Sequence, residues 1–378
     1  MKMKVTSEQD LAEAIRAATG PLKVQGGGTR PIGRPVEGEP LEVGIAGVEL
    51  YEPGALTLVV RAGTPLSEVE ALLAAEGQRL AFEPPDMRAF LGTKGTPTIG
   101  GAVAANASGP RRIQVGAARD HTLGMRFVDG TGRVLKNGGR VMKNVTGYDL
   151  VKLLAGSWGT LGVISELSLK VQAIPETEAT LLGHGLDLGD AVAALARALG
   201  SPYDVSGAAH LDGGATMVRV EGMQGMVDHR AAALLTGALA GWERVDGAES
   251  AALWRGVRDL AHLAGTPAAL WRVSLKPSDA PRFSAALTAA GLQHGGVYDW
   301  GGGLAWLTLD PGLEDAGATA LRAALAPFGG HATLIRAPAA IREKVDVFQP
   351  QPAPLAAISR GLKQKFDPRG LLNPGLMG

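Results

Sequence analysis

Residues 98–109 read TIGGAVAANASG, and this stretch carries almost no side-chain bulk. Ten of its twelve side chains are no larger than valine, and the exceptions are Ile99 and Asn106. A backbone with so little bulk lets another molecule approach closely, and the free N–H groups of such loops bind anions. The stretch therefore predicts a flat surface along which a long phosphorylated ligand can lie.

Two further glycine clusters flank this surface in the sequence. Residues 25–29 (QGGGT) follow a predicted strand at 22–24, and residues 154–164 (LAGSWGTLGVI) lead into another strand. Either cluster alone is more often a tight loop than a binding site. All three lie within the first 165 residues, and glycine supplies 54 of the 378 residues, about twice its ordinary share. Together they favour a diphosphate-containing ligand, because a diphosphate needs donors from more than one loop.

Composition and missing motifs exclude several classes of protein. Lys and Arg number 37, as do Asp and Glu, so the chain lacks the basic surplus of a non-specific nucleic-acid binder. It has no cysteine, which excludes disulfides, thiolate zinc sites and iron–sulfur clusters held by this chain. The sequence contains no Walker motif, GxGxxG fingerprint, GxSxG elbow or helical histidine pair, and no metal site is expected. No apolar run of about 18 residues occurs, so we expect a cytoplasmic protein without direct membrane insertion.

The apolar periodicity predicts a mixed α and β chain. Before residue 90, short strands alternate with helices, and Thr6 and Thr64 are expected to cap two of these helices. Residues 91–172 show little helix before about residue 148, and residues 173–178 are typical of a linker. Beyond it, alternating helices and strands suggest two α/β repeats forming an open sheet with helices on one face.

Five short segments of the chain, taken in order, resemble the FAD-binding domain of the vanillyl-alcohol oxidase / p-cresol methylhydroxylase (PCMH) family. They are QGGGT (25–29), EPPD (83–86), TIGGAVAANASG (98–109), VGAARDHTLG (115–124) and GSWGTLGVISELSLKV (156–171). Four more extend the resemblance over nearly the whole chain, and they are similar to the E subunit of bacterial glycolate oxidase. These are VMKNVTGYD (141–149), DWGG (299–302), GGHATL (329–334) and LLNPG (371–375).

The resemblance implies an α+β fold, with a two-lobed PCMH-type FAD-binding domain and an α+β cap domain of ferredoxin-like type. The FAD-binding domain is expected at residues 1–172, with lobes at about 1–50 and 51–172. The cap, or substrate, domain is expected at 173–345, and residues 346–378 are expected to return to the FAD-binding domain.

The resemblance also implies which residues hold FAD. The loop of residues 26–29 in the first glycine cluster and the backbone of residues 99–109 would hold the pyrophosphate, and other segments would line the remaining slot. Some relatives attach FAD covalently through histidine, but the first histidine here is His121, so FAD is expected to bind non-covalently. The expected FAD-binding residues are Gln25, Gly26, Gly27, Gly28, Thr29, Pro84, Pro85, Thr98, Ile99, Gly100, Gly101, Ala104, Asn106, Ser108, Gly109, Gly116, Gly159, Gly162 and Ile164.

Four residues are candidates for the chemistry, and each has a structural alternative. His331 is either a base near the flavin or a histidine bonded to backbone at a strand start. Arg272 and Arg336 flank apolar strands and either bind a carboxylate or have structural partners. Tyr148, with Asp149, lies at a predicted helix start, so this pair either caps the helix or lies near the flavin. Trp254, Trp271, Trp300 and Trp306 are expected to pack in the second half or its interface.

The resemblance implies an FAD-dependent oxidoreductase that removes a hydride from a small 2-hydroxy acid. The favoured reading is the FAD-binding subunit of a glycolate oxidase complex, partnered by a catalytic flavoprotein subunit and an iron–sulfur subunit that could associate it with a membrane. The catalytic paralogue has a metal-binding HxGDGNxH segment, and its absence here favours that reading. The alternatives are a self-sufficient FAD-dependent 2-hydroxy-acid dehydrogenase and a structural subunit without cofactor.

Overall fold

The N-terminal part of the chain contains two main sheets and several short helices. The computed structural model describes residues 3–141 and 147–377. Strands up to residue 173 are β1 (Met3–Val5), β2 (Leu22–Gln25), β3 (Glu39–Val43), β4 (Val48–Glu52), β5 (Thr57–Arg61), β6 (Gln78–Arg79), β7 (Thr122–Val128), β8 (Val134–Gly138), β9 (Val163–Lys170) and β10 (Gln172–Ala173). Helices of this part are α1 (Glu8–Ala17), α2 (Leu66–Ala75), α3 (Arg88–Leu91), α4 (Ile99–Ala104), α5 (Arg112–Val115), α6 (Ala118–His121) and α7 (Leu150–Leu154).

The first sheet is parallel, in the order β1-β3-β2, and α1 packs on it through the fully buried side chains of Leu11 and Ile15. The helix cap lies one residue later than expected. The Ser7 hydroxyl, not that of Thr6, accepts a hydrogen bond from the Asp10 backbone N–H at 3.0 Å. Cap prediction by residue type cannot separate two adjacent hydroxyl residues.

The second sheet is antiparallel, in the order β4-β5-β9-β7-β8, and α2, α4 and α7 contribute to its core. Thr64 does not cap α2, contrary to expectation. Its hydroxyl donates instead to the Arg61 carbonyl oxygen at 2.7 Å and accepts from the Gly47 N–H at 2.9 Å. Thr64 thereby joins the loop after β3 to the end of β5.

Short helices α4, α5 and α6 lie in a segment where the sequence predicts little helix. That prediction is wrong. Helices of one or two turns are too short to show a 3.6-residue period, so the apolar pattern does not reveal them. The glycine-rich surface itself forms α4, whose N-cap is Thr98. The Thr98 hydroxyl accepts a hydrogen bond from the Gly101 N–H at 3.2 Å.

The second half of the chain is built on a single eight-stranded sheet. Its strands are β11 (Thr177–Gly183), β12 (Val205–Leu211), β13 (Thr216–Gly222), β14 (Glu243–Asp246), β15 (Ala269–Ser274), β16 (His294–Asp299), β17 (Leu304–Leu309) and β18 (His331–Arg336). The helices are α8 (Leu188–Leu199), α9 (Gln224–Thr236), α10 (Gly247–Arg258), α11 (Ala280–Ala289), α12 (Ala318–Leu325), α13 (Ala339–Lys344) and α14 (Ala353–Phe366).

This sheet contains two repeats of the order βαββαβ, which is the ferredoxin-like arrangement. The sheet order is β14-β11-β13-β12-β16-β17-β15-β18, so the second strands of the two repeats join the halves edge to edge. The linker is shorter than predicted, because β11 already begins at Thr177 and pairs with β13 along its whole length.

Helices cover both faces of this sheet, which corrects the expectation of a single covered face. Ala179 and Leu181 of β11 pack with α8 and α9. Thr180 lies between them and points the other way, as successive strand residues do. Its hydroxyl accepts a hydrogen bond from the Trp254 indole N–H of α10 at 2.8 Å. Helix α10 therefore lies on the opposite face, toward the N-terminal part.

A buried cluster of charged side chains joins the eight-stranded sheet to the N-terminal part. Arg219 of β13 binds both carboxylate oxygens of Glu83, at 2.9 and 3.1 Å. Glu221 of the same strand binds Arg111 at 2.5 and 2.6 Å and Arg79 at 2.9 Å. Because each buried charge has a partner of opposite sign, the contact fixes the sheet against residues 79–111.

The end of the chain returns to the first sheet. The Leu22 N–H donates to the Leu371 carbonyl at 2.7 Å, and the Asn373 N–H donates to the Leu22 carbonyl at 3.1 Å. The boundaries at residues 172 and 345 stay predictions. Across the two described ranges, no helix has both the length and the apolar character needed to span a membrane.

Candidate cofactor and anion site

The first glycine cluster lines a cavity of about 500 Å³ next to β2. Its loop packs against residues 95–98 with no room for side chains. A Cβ atom on Gly27 would lie 1.6 Å from the Thr96 carbonyl oxygen, and one on Gly95 would lie 1.7 Å from the Gly27 carbonyl oxygen. Glycine is therefore required at both positions. Within the described residues, no hydrogen bond uses the backbone N–H groups of Gly27 and Gly28, which leaves them free for an anion.

Arg30 brings a positive charge to the same cavity. One terminal nitrogen donates to the Pro85 carbonyl at 2.9 Å, whereas Nε is buried without a partner in the part of the chain that is described. Burial lowers the pKa of Arg30 to about 10, and the Asp86 carboxylate opposes this only in part. A buried, incompletely paired guanidinium beside free backbone N–H groups suits a phosphate, so this donor set fits the pyrophosphate of a dinucleotide.

Trp158 lies where three cavities meet. It lines the 500 Å³ cavity, a narrow one of about 80 Å³ beside α4, and a third of about 330 Å³. Its φ of +55° is unusual for a bulky residue. The backbone N–H of Trp158 donates to the Ala104 carbonyl at 2.9 Å. The indole ring contacts the Phe348 ring edge-on, with 5.8 Å between the ring centres. These contacts hold the indole at the junction.

The third cavity is bounded by residues 105–119 and by the second repeat of the eight-stranded sheet. The guanidinium carbons of Arg112 and Arg272 lie 4.6 and 5.4 Å from the ring centre of Trp300. The Trp300 indole N–H donates to the Gly109 carbonyl at 3.1 Å, which fixes the ring. Burial and the neighbouring charge of Arg112 together lower the pKa of Arg272 to about 10, and the Asp299 carboxylate opposes this only in part. The cavity is therefore strongly electropositive.

His331, at the start of β18, lines this third cavity as well. It pairs with Ser274 across β15 and β18, and its ring makes no hydrogen bond to any described residue. Burial lowers the pKa of His331, and the positive charges of Arg272 and Arg112 lower it further. The ring is therefore neutral at pH 7 and can accept a proton.

The other two candidates for the chemistry lie elsewhere. The Arg336 guanidinium donates to the carbonyl oxygens of Phe90 and Ala268, at 2.6 and 3.0 Å, and to the Thr266 hydroxyl at 2.8 Å. It joins three chain segments and does not line the cavities described here. Tyr148 is 88% exposed, and beside it Asp149 caps α7 by accepting from the Lys152 N–H at 3.2 Å. Residues 142–146 of the motif at 141–149 lie outside the described residues.

Most of the expected FAD-binding residues line one of the three cavities. These are Gln25, Gly26, Gly27, Gly28, Thr29, Pro85, Thr98, Gly100, Gly101, Ala104, Asn106, Ser108, Gly159, Gly162 and Ile164. Four are absent from all three linings: Pro84, Ile99, Gly109 and Gly116. Of these four, Ile99 is fully buried in the core of the second sheet, and Gly109 provides the acceptor for Trp300.

Sequence reasoning missed five residues of this site. Arg30 directly follows the first glycine cluster, and Trp158 lies inside the third, so their positions were available signals. Trp300 and Asn373 belong to two of the motifs that carry the resemblance, DWGG and LLNPG, but nothing local marks their contacts or those of Arg112, because these contacts join distant segments.

The chain is similar to known FAD-binding proteins. Residues 2–138 match the FAD binding domain family. Over 373 residues the chain is 38% identical to glycolate oxidase subunit GlcE of Escherichia coli (strain K12), a match that covers 98% of this chain and 95% of that protein. A shorter match, 36% identical over 131 residues, is to glycolate oxidase subunit GlcD of Bacillus subtilis (strain 168), covering 35% of this chain and 24% of that protein.

A solved structure of alkyldihydroxyacetonephosphate synthase superposes with a TM-score of 0.68 at 18% identity, covering 98% of this chain and 75% of that one. The predicted fold class is thereby confirmed, and the domain match confirms FAD as the cofactor. The predicted resemblance is confirmed too: this chain belongs to the family of FAD-binding oxidoreductases that includes the glycolate oxidase subunit GlcE.

Proposed function

We propose that this chain is the FAD-binding subunit of a glycolate oxidase-type complex that oxidises a 2-hydroxy acid. One observation carries the proposal. Trp158 links a cavity suited to a dinucleotide with a second cavity that holds Arg112, Arg272 and a neutral His331. The first cavity accounts for the cofactor, and the second for a substrate that carries a carboxylate.

The residues around the larger cavity hold FAD without a covalent bond. The N–H groups of Gly27 and Gly28 and the guanidinium of Arg30 bind the pyrophosphate, and the residues around α4 and Trp158 line the rest of the slot. When bound, FAD supplies the electron acceptor for oxidation of the alcohol carbon.

The residues of the third cavity orient and deprotonate the substrate. Arg272 or Arg112 binds the carboxylate through paired N–H donors. His331, which is neutral at pH 7, accepts the proton of the substrate hydroxyl at a ring nitrogen. The indole of Trp158 and the ring of Phe348 exclude water from the side where the cavities meet.

Electrons must leave this chain for a partner or a diffusible acceptor, because it has no cysteine with which to hold an iron–sulfur cluster. The relatives in E. coli and B. subtilis are both named as subunits of glycolate oxidase, which supports a flavoprotein partner. An iron–sulfur subunit is the third member of the complex we propose.

A second candidate function is a self-sufficient FAD-dependent 2-hydroxy-acid dehydrogenase. The observation that favours it is the third cavity, since cationic groups for the substrate and a free histidine both lie within this chain. The two candidates differ in whether the isolated chain oxidises substrate.

The test is the visible spectrum of the purified chain, recorded anaerobically before and after addition of glycolate. Yellow protein that bleaches supports the self-sufficient enzyme. Yellow protein that stays oxidised alone, and is reduced once the partner subunits are added, supports the proposed subunit. Protein that stays colourless after incubation with FAD would reject both candidates and favour a structural subunit.

A further inference from the structure

The third cavity has an unbalanced positive charge. Three arginines line it, Arg112, Arg119 and Arg272, and no Asp or Glu is among its lining residues. The Arg119 guanidinium forms an ion pair with the Asp120 carboxylate, with 4.0 Å between Nε and Oδ1. In contrast, the guanidinium groups of Arg112 and Arg272 make no ion pair and no hydrogen bond within residues 3–141 and 147–377.

Trp300 explains how two unpaired guanidinium groups can share this cavity. Each stacks on its indole, which leaves the N–H donors at the guanidinium edges unused. Stacking does not neutralise the charge. The Asp299 carboxylate, whose charge favours the protonated form of Arg272 and so raises its pKa, accepts from the Trp300 backbone N–H at 2.7 Å and makes no ion pair with either arginine within the described residues. An arginine edge of this kind binds one carboxylate through two parallel N–H donors.

We propose that this cavity binds a 2-hydroxy acid with two carboxylates, one on Arg112 and one on Arg272. The inference rests on the proposed function and names the substrate class of that site. A monocarboxylate such as glycolate would neutralise one guanidinium and leave the other unpaired.

The experiment compares glycolate with hydroxymalonate, which is the same 2-hydroxy acid with a second carboxylate. Binding to the FAD-loaded protein is measured by calorimetry at one ionic strength. We expect hydroxymalonate to bind at least about tenfold more tightly than glycolate. Glycolate binding as tightly as hydroxymalonate, or neither acid binding, would overturn the proposal.

Variants assign the preference to the two arginines. Arg112→Gln and Arg272→Gln should each reduce the preference to about threefold or less, and Arg272→Lys should retain part of it even if Arg272→Gln folds poorly. The matched control is Arg282→Gln, since Arg282 also stacks on an aromatic ring, Phe328 at 5.3 Å, but lies outside this cavity. A preference that survives in both glutamine variants would contradict the assignment.

Reduction of the flavin is recorded separately, so that failure of this inference is distinguishable from failure of the proposed function. Flavin reduced by glycolate without any preference for hydroxymalonate would overturn the inference and leave the function standing. Preferential binding of hydroxymalonate without reduction of the flavin by either acid, even with the partner subunits present, would support the anion site and reject the oxidation.

Discussion

The side chain of Asn373 and the backbone of Trp158 are joined by a hydrogen bond, from Nδ2 of Asn373 to the Trp158 carbonyl oxygen at 2.9 Å. The same amide accepts from the Val24 N–H at 2.8 Å and donates to the Val24 carbonyl at 3.2 Å, as a neighbouring strand would. One side chain near the end of the protein thus ties the strand before the first glycine cluster to the residue at which the cavities meet.

Replacing Asn373 with alanine should weaken FAD binding by about tenfold and lower the thermal midpoint. The variant loses three hydrogen bonds, each worth about 1 kcal/mol net, and leaves the N–H of half-buried Val24 without this partner. Fluorescence titration with FAD and thermal unfolding measure the two effects. Gln351→Ala is the control, because Gln351 is another amide of the C-terminal segment that bonds only the exposed Ser359. Equal FAD affinity in both variants would contradict the role of Asn373.

Gly101→Val should abolish FAD binding while the protein stays folded. A Cβ atom at Gly101 would lie 3.1 Å from the Thr98 hydroxyl and 3.7 Å from a terminal nitrogen of Arg30, so a valine side chain would occupy the proposed pyrophosphate region. The matched control is Gly225→Val in α9, where a Cβ atom meets nothing within 4 Å. Circular dichroism checks folding, and the flavin absorbance of the purified protein gives the FAD content. Full FAD content in Gly101→Val would refute the proposed slot.

Gly27→Ala should disturb the fold itself, because its Cβ atom would overlap the Thr96 carbonyl oxygen at 1.6 Å. We expect a loss of stability of about 2 kcal/mol or more, together with the loss of FAD, since the two loops must separate. Urea unfolding measures the change. Gly20→Ala, where nothing lies within 4 Å of the added atom, should leave stability within about 0.5 kcal/mol of the original protein.

Glu221→Gln should cost about 3–5 kcal/mol of stability at pH 7, because Arg111 and Arg219 are left buried with too little negative charge. Burial alone would raise the pKa of Glu221, but Arg219, Arg111 and Arg79 together lower it to about 2. The unfolded chain therefore takes up a proton at higher pH than the folded protein does. Stability from this group is complete above pH 4.5 and is lost as the pH falls toward 2. The variant should not show this loss of stability when the pH falls from 4.5 toward 2. An acid unfolding curve with the same pH dependence in both proteins would contradict the assignment.

Asp299→Asn should remove a loss of stability that occurs as the pH rises toward neutral. Burial and the charge of Glu83 together raise the pKa of Asp299 to about 7, against the opposing hydrogen bond from the Trp300 N–H. The folded protein holds a proton that the unfolded chain releases near pH 3.8, so stability falls as the pH rises from there to about 7. Asparagine keeps the acceptor for Trp300 and cannot ionise. Urea unfolding at pH 5 and pH 8 should show a smaller difference in the variant by about 1–3 kcal/mol. The same difference in both proteins would contradict the prediction.

The features that depend only on neighbouring residues could be predicted from the amino-acid sequence. Glycines 26, 27 and 100 stand where other groups leave no room for a Cβ atom, and the residue type that lacks this atom is visible in the sequence. The motifs that carry the family resemblance have the same local origin, which is why the fold class and FAD followed from them. The balanced charge and the missing cysteines likewise follow from composition alone.

Contacts between residues far apart in the sequence could be identified only from the tertiary structure. Arg112 and Arg272 lie in different halves of the chain, and only the docking of the eight-stranded sheet brings both to Trp300. Arg336, like Arg272, is an arginine in an apolar strand segment of the second half. Backbone carbonyls of other segments take up its charge, however, so it serves the fold instead. The physical reason is that an arginine's role depends on whether the packing around it supplies partners, and that packing is a long-range property of the folded chain.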